Sequence, residues 1–474
     1  MAFVLLLATA TTFTSCSKEE TYSFTVPSAS ILVSMPGETG YTYFDSTNIA
    51  SVDVVSTPKG WTVDNIDLYN STITVTAPTT FDNEEQESGT LSLNAFTPIG
   101  TKTTISIFLS ILPHADIDFS DAPANCYIAT QAKTRYKFNA MMGGSSTPLT
   151  TERVAILWQT SEELVKYLDM RDGLVRFYID ELTDDDDNAT GKISEGNALI
   201  AAYDAEDNII WTWHIWVTNN DPREDVITLA NKSVMNVNLG AQLNSEGSTD
   251  PEKILASYGL YYQWGRKVPF VGPNTWDFKS NTDLKMYDAT GDGVYINYVE
   301  PTMETNNEAW AEANPTSLLL GYKDNGYDWL YSDHNNTLWS ATSKSEQDPC
   351  PAGWRVADSS IFESLTITAA DDAMAWEEAQ PMRGWWLEDT TTTEKHFFTA
   401  AGRRNYLDGR LDIMNDDENY PVPWSGYYWT STTDGAKSKT LYFDLNTATR
   451  TWNGIDTSHS MHRANALPVR CVRE

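Results

Sequence analysis

Positive charge is scarce in this chain. Its 474 residues include 32 Lys and Arg against 66 Asp and Glu, which gives a formal net charge of −34. Such an acidic surface repels phosphate backbones and anionic headgroups, so the sequence predicts no nucleic-acid partner. The acidic runs at 184–187 and 416–418 are interpreted as solvated loops, with metal sites as the alternative.

Long apolar runs are also missing, so no later segment is expected to span a bilayer as a helix. The apolar run at residues 3–8 is too short for a transmembrane helix and suits a signal peptide. No Lys or Arg precedes it, which leaves the true start of the signal open. The small residues and hydroxyls that follow, ending at Cys16, resemble the lipobox of bacterial lipoproteins, where this cysteine becomes acylated.

Residues 17–20, Ser-Lys-Glu-Glu, resemble the export tag of Bacteroidetes lipoproteins that are displayed outside the outer membrane. The resemblance implies an outer membrane lipoprotein that faces outward and contacts the membrane only through lipid on Cys16. The alternative is an ordinary cleaved signal with an incidental cysteine.

Cysteine is rare: the chain has 4. Once Cys16 is assigned to lipid, Cys126, Cys350 and Cys471 remain, and an exported chain is free to form a disulfide. Sequence does not settle the connectivity, but Cys350 and Cys471 lie in one apparent domain. Cys126 begins the strand-like run Cys-Tyr-Ile-Ala at 126–129 and is predicted to be a buried thiol.

Catalytic fingerprints are lacking as well. The sequence has no Gly-x-Ser-x-Gly, His-Glu-x-x-His, P-loop or dinucleotide motif. Acids are so numerous that a pair of them close together carries no information. His459 and His462 have a spacing that could bind a metal on a helix, but no third ligand is evident. We therefore expect a binding protein rather than an enzyme, with no cofactor.

Residues 21–112 are predicted to form short strands separated by Pro-, Gly- and acid-containing breaks, typical of an immunoglobulin-like sandwich. The turn Pro-Lys-Gly-Trp at 58–61 and the strand after it resemble the BACON-type spacer modules of Bacteroidetes surface proteins. Because Trp61 is the only tryptophan here, no sugar-stacking surface is expected in this segment.

Residues 113–225 are predicted to be a second β-sandwich with one short helix near 161–169. The strand at 210–216 carries apolar bulk on both faces, which predicts burial on both sides and a hydrogen-bonded core role for His214. The segments Asn-Cys-Tyr-Ile and Trp-x-Trp-His-Ile-Trp resemble the fimbrillin-like region of Bacteroidetes proteins.

Residues 226–474 hold 12 of the 17 tryptophans. Motifs in order include Asn-Leu-Gly-Ala at 238–241, Asp-Pro-Cys-Pro-Ala-Gly-Trp-Arg-Val at 348–356 and Ala-Leu-Pro-Val-Arg-Cys-Val-Arg at 466–473. This set resembles the FISUMP domain, named for the major paralogous proteins of Fibrobacter succinogenes. The resemblance implies an α+β, C-type-lectin-like fold, and two domain cysteines best explained as one Cys350–Cys471 bridge. The expected whole is mainly β: two sandwiches followed by this domain.

A sugar site needs an exposed aromatic ring beside amide and carboxylate groups. For each tryptophan, core packing is the alternative. The candidates are Trp452, Asn453, Asp456, Trp424, Trp385 and Trp386.

A calcium loop is suggested by Asp288, Thr290 and Asp292, whose oxygens occupy alternate positions before Gly293. The position where a carboxylate is required holds Val299, so a Gly-rich turn is favoured and calcium is the alternative.

The sequence favours a surface adhesin or a glycan- or protein-binding module. A fimbrial tip or accessory component is one form that such a protein could take. Expected partners are a glycan, a host or bacterial surface protein, or fimbrial subunits. The first arginine, Arg135, lies beyond the first domain, and a bridged Cys471 strand could not swing out, so a repeating stalk subunit is not expected. Alternatives are a polysaccharide-active enzyme with the FISUMP domain as catalyst, and a structural stalk protein without a ligand.

Overall fold

The computed structural model describes residues 21–33, 37–78, 88–111, 115–171, 173–183, 190–275, 282–367, 379, 381–413, 424–444 and 454–474. Contacts divide the chain into two compact units, Met1–Asp116 with Thr183–Asn188, and Ile117–Leu182 with Ala189–Glu474. Strands dominate both, which confirms the prediction of a mainly β protein. Within the described ranges, no helix is long and apolar enough to cross a membrane.

The first unit is a β-sandwich. Its strands form a four-stranded sheet in the order β2-β9-β8-β5, a three-stranded sheet β3-β7-β6 and a pair β1-β4. The strands are β1 Ser23–Thr25, β2 Ser30–Val33, β3 Thr39–Tyr43, β4 Asp45–Thr47, β5 Ser51–Ser56, β6 Thr62–Asp67, β7 Thr72–Thr76, β8 Ser88–Phe96 and β9 Lys102–Ile111.

Alternation along the strands of the first unit supplies its core. In β7, Ile73 and Val75 are buried while the threonines between them face outward. Leu91 and Leu93 of β8 pack against the same cluster, as does Trp61, the residue just before β6. The predicted immunoglobulin-like pattern of short alternating strands is therefore confirmed at the level of the sandwich.

Ten strands follow, of which eight belong to two facing sheets while β13 and β14 pair with each other. They are β10 Ala115–Asp118, β11 Cys126–Ala129, β12 Thr134–Asn139, β13 Met142–Gly143, β14 Thr147–Pro148, β15 Arg153–Gln159, β16 Lys166–Arg171, β17 Leu174–Ile179, β18 Gly196–Tyr203 and β19 Ile209–Val217. One sheet has the order β10-β12-β17-β16.

In the ranges that the structure describes, the rest of the second unit is mostly short strands and loops and includes two helices of six residues each. Its elements are β20 Val226–Leu229, β21 Lys232–Met235, α1 Pro251–Ala256, β22 Tyr262–Gln263, β23 Met286–Tyr287, β24 Gly293–Val294, β25 Asn297–Val299, α2 Glu308–Ala313, β26 Ser317–Leu319, β27 Trp354–Val356, β28 Leu365–Thr366, β29 Gly384–Asp389, β30 Lys395–Thr399, β31 Arg403–Arg404, β32 Leu411–Asp412, β33 Ser425–Asp434, β34 Lys437–Asp444, β35 Ile455–His462, β36 Ala466–Leu467 and β37 Cys471–Arg473. Two 3-10 helices lie at Lys323–Asn325 and Ser359–Ile361.

The second large sheet of this unit has six strands, in the order β11-β19-β18-β15-β23-β24. On β19, Trp213 and Ile215 enter the core shared with the four-stranded sheet. Trp216, on the opposite face, enters the core of the C-terminal segment. The predicted burial of this strand on both sides is confirmed, because each face of the sheet packs against a different layer.

The C-terminal segment is built onto this sheet rather than beside it. Its strands β23 and β24 extend the sheet at β15. Asn197 Nδ2 donates to the carbonyl of Gly240 at 2.9 Å, and Trp216 Nε1 donates to that of Ala241 at 2.9 Å. The Asn-Leu-Gly-Ala motif thus docks on β18 and β19, and the boundary predicted near 225 falls inside one compact unit.

The predicted helix at 161–169 is wrong. Residues 161–165 form turns, and β16 follows at Lys166–Arg171, paired antiparallel with β17. A cross-strand ion pair joins Arg176 to Asp169 at 3.0 Å. The hydrogen bonds of a neighbouring strand override a weak local helical preference.

The predicted disulfide is confirmed: Cys350 and Cys471 are bonded. The bridge closes a loop with a sequence separation of 121, and chain-entropy arguments give about 4–5 kcal/mol for a loop of that size. It holds β37, which pairs with β21 on one side and β27 on the other. Cys126 is a free, buried thiol, as predicted, and burial raises its pKa.

Candidate functional site

The aromatic candidates from the sequence are mostly packed inside. Trp385 and Trp424 are each 5% exposed, so neither offers a ring face to solvent. Trp386 is 38% exposed and packs edge-on against Phe397. Trp452 and Asn453 lie outside the described residues.

Asp456, the carboxylate of that same candidate group, lies on β35. Its Oδ1 accepts a hydrogen bond from Ser458 N at 3.0 Å, and its Oδ2 is 3.4 Å from His459 Nδ1. His462, the other histidine of this strand, has its Nδ1 bonded to the carbonyl of Gly326 at 2.8 Å. The structure therefore gives both histidines different local partners.

The suggested calcium loop is a hydrogen-bonded turn. Asp288 Oδ1 accepts from Thr290 Oγ1 at 2.7 Å, from Thr290 N at 2.8 Å and from Asp292 N at 3.0 Å. The bonds from Thr290 hold the pKa of Asp288 below its ordinary value. Among the described residues, no three His, Cys, Asp or Glu side chains are grouped as metal ligands would be.

His214 has the core role that the sequence predicts. It is 1% exposed, and its Nε2 lies 2.8 Å from Asn197 Oδ1. Burial lowers the pKa of this imidazole to about 3, so it is neutral at physiological pH.

A cavity of about 450 Å³ lies elsewhere, between the first turn of α2 and the loop after Trp329. A volume of this size suits one or two sugar rings or a comparable polar ligand. Its lining residues are Met303, Asn306, Asn307, Glu308, Ala309, Leu330, Tyr331, Ser332, Asp333, His334 and Asn335.

Two consecutive asparagines build the α2 side of this cavity. Asn307 caps the helix, its Oδ1 accepting from Trp310 N at 2.9 Å. Asn306 is 1% exposed, and its Nδ2 donates to the carbonyls of Leu320 at 3.1 Å and Trp329 at 2.7 Å. The backbone carbonyl of Asn306 accepts from Tyr331 N at 2.8 Å. This buried residue therefore joins the α2 side of the cavity to its loop side.

The loop side of the cavity is held by side chains of its own. His334 Nδ1 bonds to Asp328 Oδ2 at 2.8 Å, and Asp328 is fully buried. Burial raises the pKa of Asp328, and the bond from His334 partly offsets that effect. Asn335 Nδ2 donates to Glu308 Oε1 at 2.8 Å and ties the loop to α2.

Tyr331 forms part of the cavity wall and is supported by a second tyrosine ring. The rings of Tyr331 and Tyr322 stack with centroids 4.0 Å apart and planes at 12°. The adjacent Tyr331 hydroxyl raises the pKa of Tyr322 to about 12, so the phenol is neutral at physiological pH. Met303, which is 65% exposed, adds an apolar contact among the lining residues.

This arrangement brings ring, amide and carboxylate groups to one concave surface. Tyr331 offers an aromatic surface, and Glu308 and Asp333 offer carboxylates. The amides of Asn307 and Asn335 also line the cavity, and each is held in place by hydrogen bonds to neighbouring residues. Such a set can stack on the apolar face of a small polar ligand and bond its edge. The described part of the cavity shows no arrangement of nucleophile and base bonded to each other.

None of the residues of this cavity was among the sequence candidates. The aromatic candidates in the sequence are tryptophans, whereas the ring here is a tyrosine. A signal was present in the polar run Ser-Asp-His-Asn-Asn at 332–336 directly after the apolar Trp-Leu-Tyr at 329–331. Without the fold, nothing joins that run to the Asn-Asn-Glu at 306–308.

No family model matches the chain, and no curated protein sequence is similar to it. Among solved structures, the D00-D0 domain of Intimin is 7% identical, with a TM-score of 0.17 over 41% of this chain and 96% of that one. The SrpA adhesin of Streptococcus sanguinis is 14% identical, with a TM-score of 0.16 over 24% of this chain and 68% of that one.

A third solved structure is the Bacteroides ovatus mixed-linkage glucan utilization locus SGBP-B in complex with a mixed-linkage heptasaccharide. It is 10% identical, with a TM-score of 0.15 over 42% of this chain and 45% of that one. Similarities with TM-scores this low carry no inference about ligand or function.

Proposed function

We propose that the protein is a surface-anchored adhesin that binds a glycan through the cavity between α2 and the loop 330–335. The single observation that carries this proposal is the convergence of Tyr331, two amides and two carboxylates on one concave surface. Sugars present an apolar face and a polar edge, and this lining matches both. Acylation at Cys16 together with export directed by the tag at residues 17–20 would place the cavity outside the outer membrane, where glycans are met.

The proposal is tested with the full chain on an array of glycans and matrix proteins. Replacing Tyr331 with Ala removes the aromatic wall, so affinity for a bound glycan should fall about 5- to 30-fold, since ring stacking contributes roughly 1–2 kcal/mol. Isothermal titration with the best array ligand measures the change.

Tyr295→Ala is the matched control, because Tyr295 is 84% exposed and does not line the cavity. Its affinity should equal that of the wild type. Glycan binding that Tyr331→Ala leaves unchanged would show that the ligand binds elsewhere, and binding only to proteins would reject the glycan.

One observation favours a second candidate, an enzyme acting on polysaccharides. His334 lines the cavity and is held by the buried Asp328, as a general base is often held by a carboxylate. Asp328 also lies 3.7 Å from Arg463 Nη1 and accepts from Leu330 N at 3.3 Å, which makes it a structural anchor as well. Release of reducing ends from the array ligand, abolished by His334→Gln, would favour the enzyme over the adhesin.

A further inference from the structure

The open charges of the cavity have one sign. Glu308 and Asp333 contribute carboxylates, and no Lys or Arg occurs among the lining residues that the structure describes. His334, the base of this lining, is bonded to Asp328. Arg463, whose side chain is 1% exposed, places its Nη1 3.7 Å from Asp328 Oδ2 and compensates the charge of this carboxylate. The net charge presented to a ligand is therefore negative.

Both cavity carboxylates have oxygens that accept no hydrogen bond from the described residues. Glu308 uses Oε1 to accept from Asn335 Nδ2, and no described residue donates to its Oε2. In the described part of the chain, no donor bonds to the carboxylate of Asp333. The main chain of Asp333 is left-handed, with φ of 53°, a conformation that only a few residue types adopt readily.

The aromatic wall, like the carboxylates, favours a positively charged ligand. The face of a tyrosine ring is negative, so a cation placed over it is attracted, most strongly where water is partly excluded. Tyr331 is stacked on Tyr322 on one side, which leaves the rest of its surface for the cavity. A concave surface with carboxylates and a π-face concentrates cations, and the formal net charge of −34 strengthens this tendency.

We propose that the cavity selects a sugar that carries a protonated amino group. Such a sugar is a hexosamine unit of a glycan whose nitrogen is not acetylated. This inference rests on the proposed function and adds the ligand class to it. The cavity volume of about 450 Å³ favours a ring over the thin side chain of a lysine, and Tyr331 gives that ring a surface to stack on. The unused carboxylate oxygens of Glu308 and Asp333 are the acceptors for its ammonium group.

The test compares two probes with the same sugar backbone that differ at nitrogen, which is a charged amine in one and a neutral acetamide in the other. The full chain is titrated with a β-1,4-linked glucosamine tetramer and with its fully N-acetylated, neutral counterpart, in mildly acidic buffer where the free amines are protonated. The charged tetramer should bind about 10-fold more tightly, as one exposed ion pair and one cation–π contact together allow. Its affinity should also fall as salt is added, while that of the neutral tetramer stays constant.

Two isosteric substitutions test the residues. Glu308→Gln keeps the carbonyl that accepts from Asn335, and Asp333→Asn keeps a side chain that tolerates the left-handed main chain. Each should reduce the affinity for the charged tetramer several-fold more than the affinity for the neutral one. Glu252→Gln is the matched control, since Glu252 occupies the first turn of α1 as Glu308 does that of α2.

Equal affinity for the two tetramers, or no binding of the charged one, overturns the selection of amino sugars. In either case the proposed function stands if a glycan from the array still loses affinity with Tyr331→Ala. A tetralysine peptide forms the remaining arm: tighter binding of this peptide than of the charged tetramer would assign the cavity to a basic protein and overturn the sugar.

Discussion

At the scale of single residues, buried amide side chains form directional hydrogen bonds, so each one joins a particular pair of segments. Apolar packing does not have this specificity. Asn125 Nδ2 donates to the carbonyls of Glu346 at 2.7 Å and Asp348 at 2.9 Å, while its Oδ1 accepts from Trp211 Nε1. Leaving such groups without partners costs about 1–3 kcal/mol each. Asn125 therefore specifies how the C-terminal segment meets β19.

His214 gives a pH-dependent contribution at the same scale. Its pKa is about 3 in the folded protein and 6.5 in an unfolded chain, because burial disfavours the imidazolium. Above pH 6.5 both states hold a neutral ring and the contribution to stability is complete. As pH falls from 6.5 towards about 3, the unfolded state binds a proton that the folded state does not, so stability is lost.

We expect His214→Gln to remove this component while its amide still donates to Asn197. The free energy of unfolding of the wild type should fall by about 1.4 kcal/mol per pH unit more steeply than that of the variant between these limits. Urea titrations followed by tryptophan fluorescence measure both curves. Parallel curves would show that this histidine is protonated in the folded state.

At the scale of elements, the six-stranded sheet is the centre of the second unit. Its β15 pairs with β23, which belongs to the segment that the sequence assigned to another domain. The face of the sheet that packs against the C-terminal segment contributes four side chains to the core of that segment: Trp158, Trp216, Ile128 and Leu199. Burial of such side chains contributes roughly 1.5–3 kcal/mol each.

The loss of these side chains should prevent the fragment 226–474 from folding alone. Removing four of them, with their strands, costs on the order of 10 kcal/mol, which is comparable to the whole stability of a domain. Near-ultraviolet circular dichroism and thermal unfolding should show no cooperative transition for 226–474. The fragment 115–474, which keeps both sheets, should show one; a sharp transition for the shorter fragment would contradict the shared core.

At the scale of the whole molecule, the acidic surface and the signal region together predict where the protein works. A formal net charge of −34 keeps the chain from anionic lipid headgroups, so membrane attachment would depend on an acyl chain. Cys16 and the Ser-Lys-Glu-Glu tag at 17–20 lie outside the described residues and remain predictions.

Cys16→Ser should release the protein from the membrane fraction, because the acylated thiol is its expected anchor. Substituting Lys18, Glu19 and Glu20 should instead leave it acylated and membrane-bound but hidden in the periplasm. Fractionation and digestion of intact cells by added protease distinguish the two. Equal surface exposure of all these variants would reject the tag.

Much of the architecture is already determined by local pattern. Alternation in 72–76 predicts a half-buried strand, and apolar bulk on both faces of 210–216 predicts a strand covered on two sides, because side chains of a strand point alternately to opposite faces. The Cys350–Cys471 pairing is expected because both cysteines lie in one apparent domain, although the sequence leaves the connectivity open, and the burial of Cys126 is expected from its strand-like run.

Only the tertiary structure decided the rest, because it depends on segments that are distant in sequence. The strand at Lys166–Arg171 exists through its pairing with β17, where local propensity favours a helix. The cavity joins Glu308 to Asn335 and depends on Asn306, whose side chain bonds to carbonyls up to 23 positions away. Such contacts leave no periodic trace in the sequence, so the fold must bring them together before a site can be recognised.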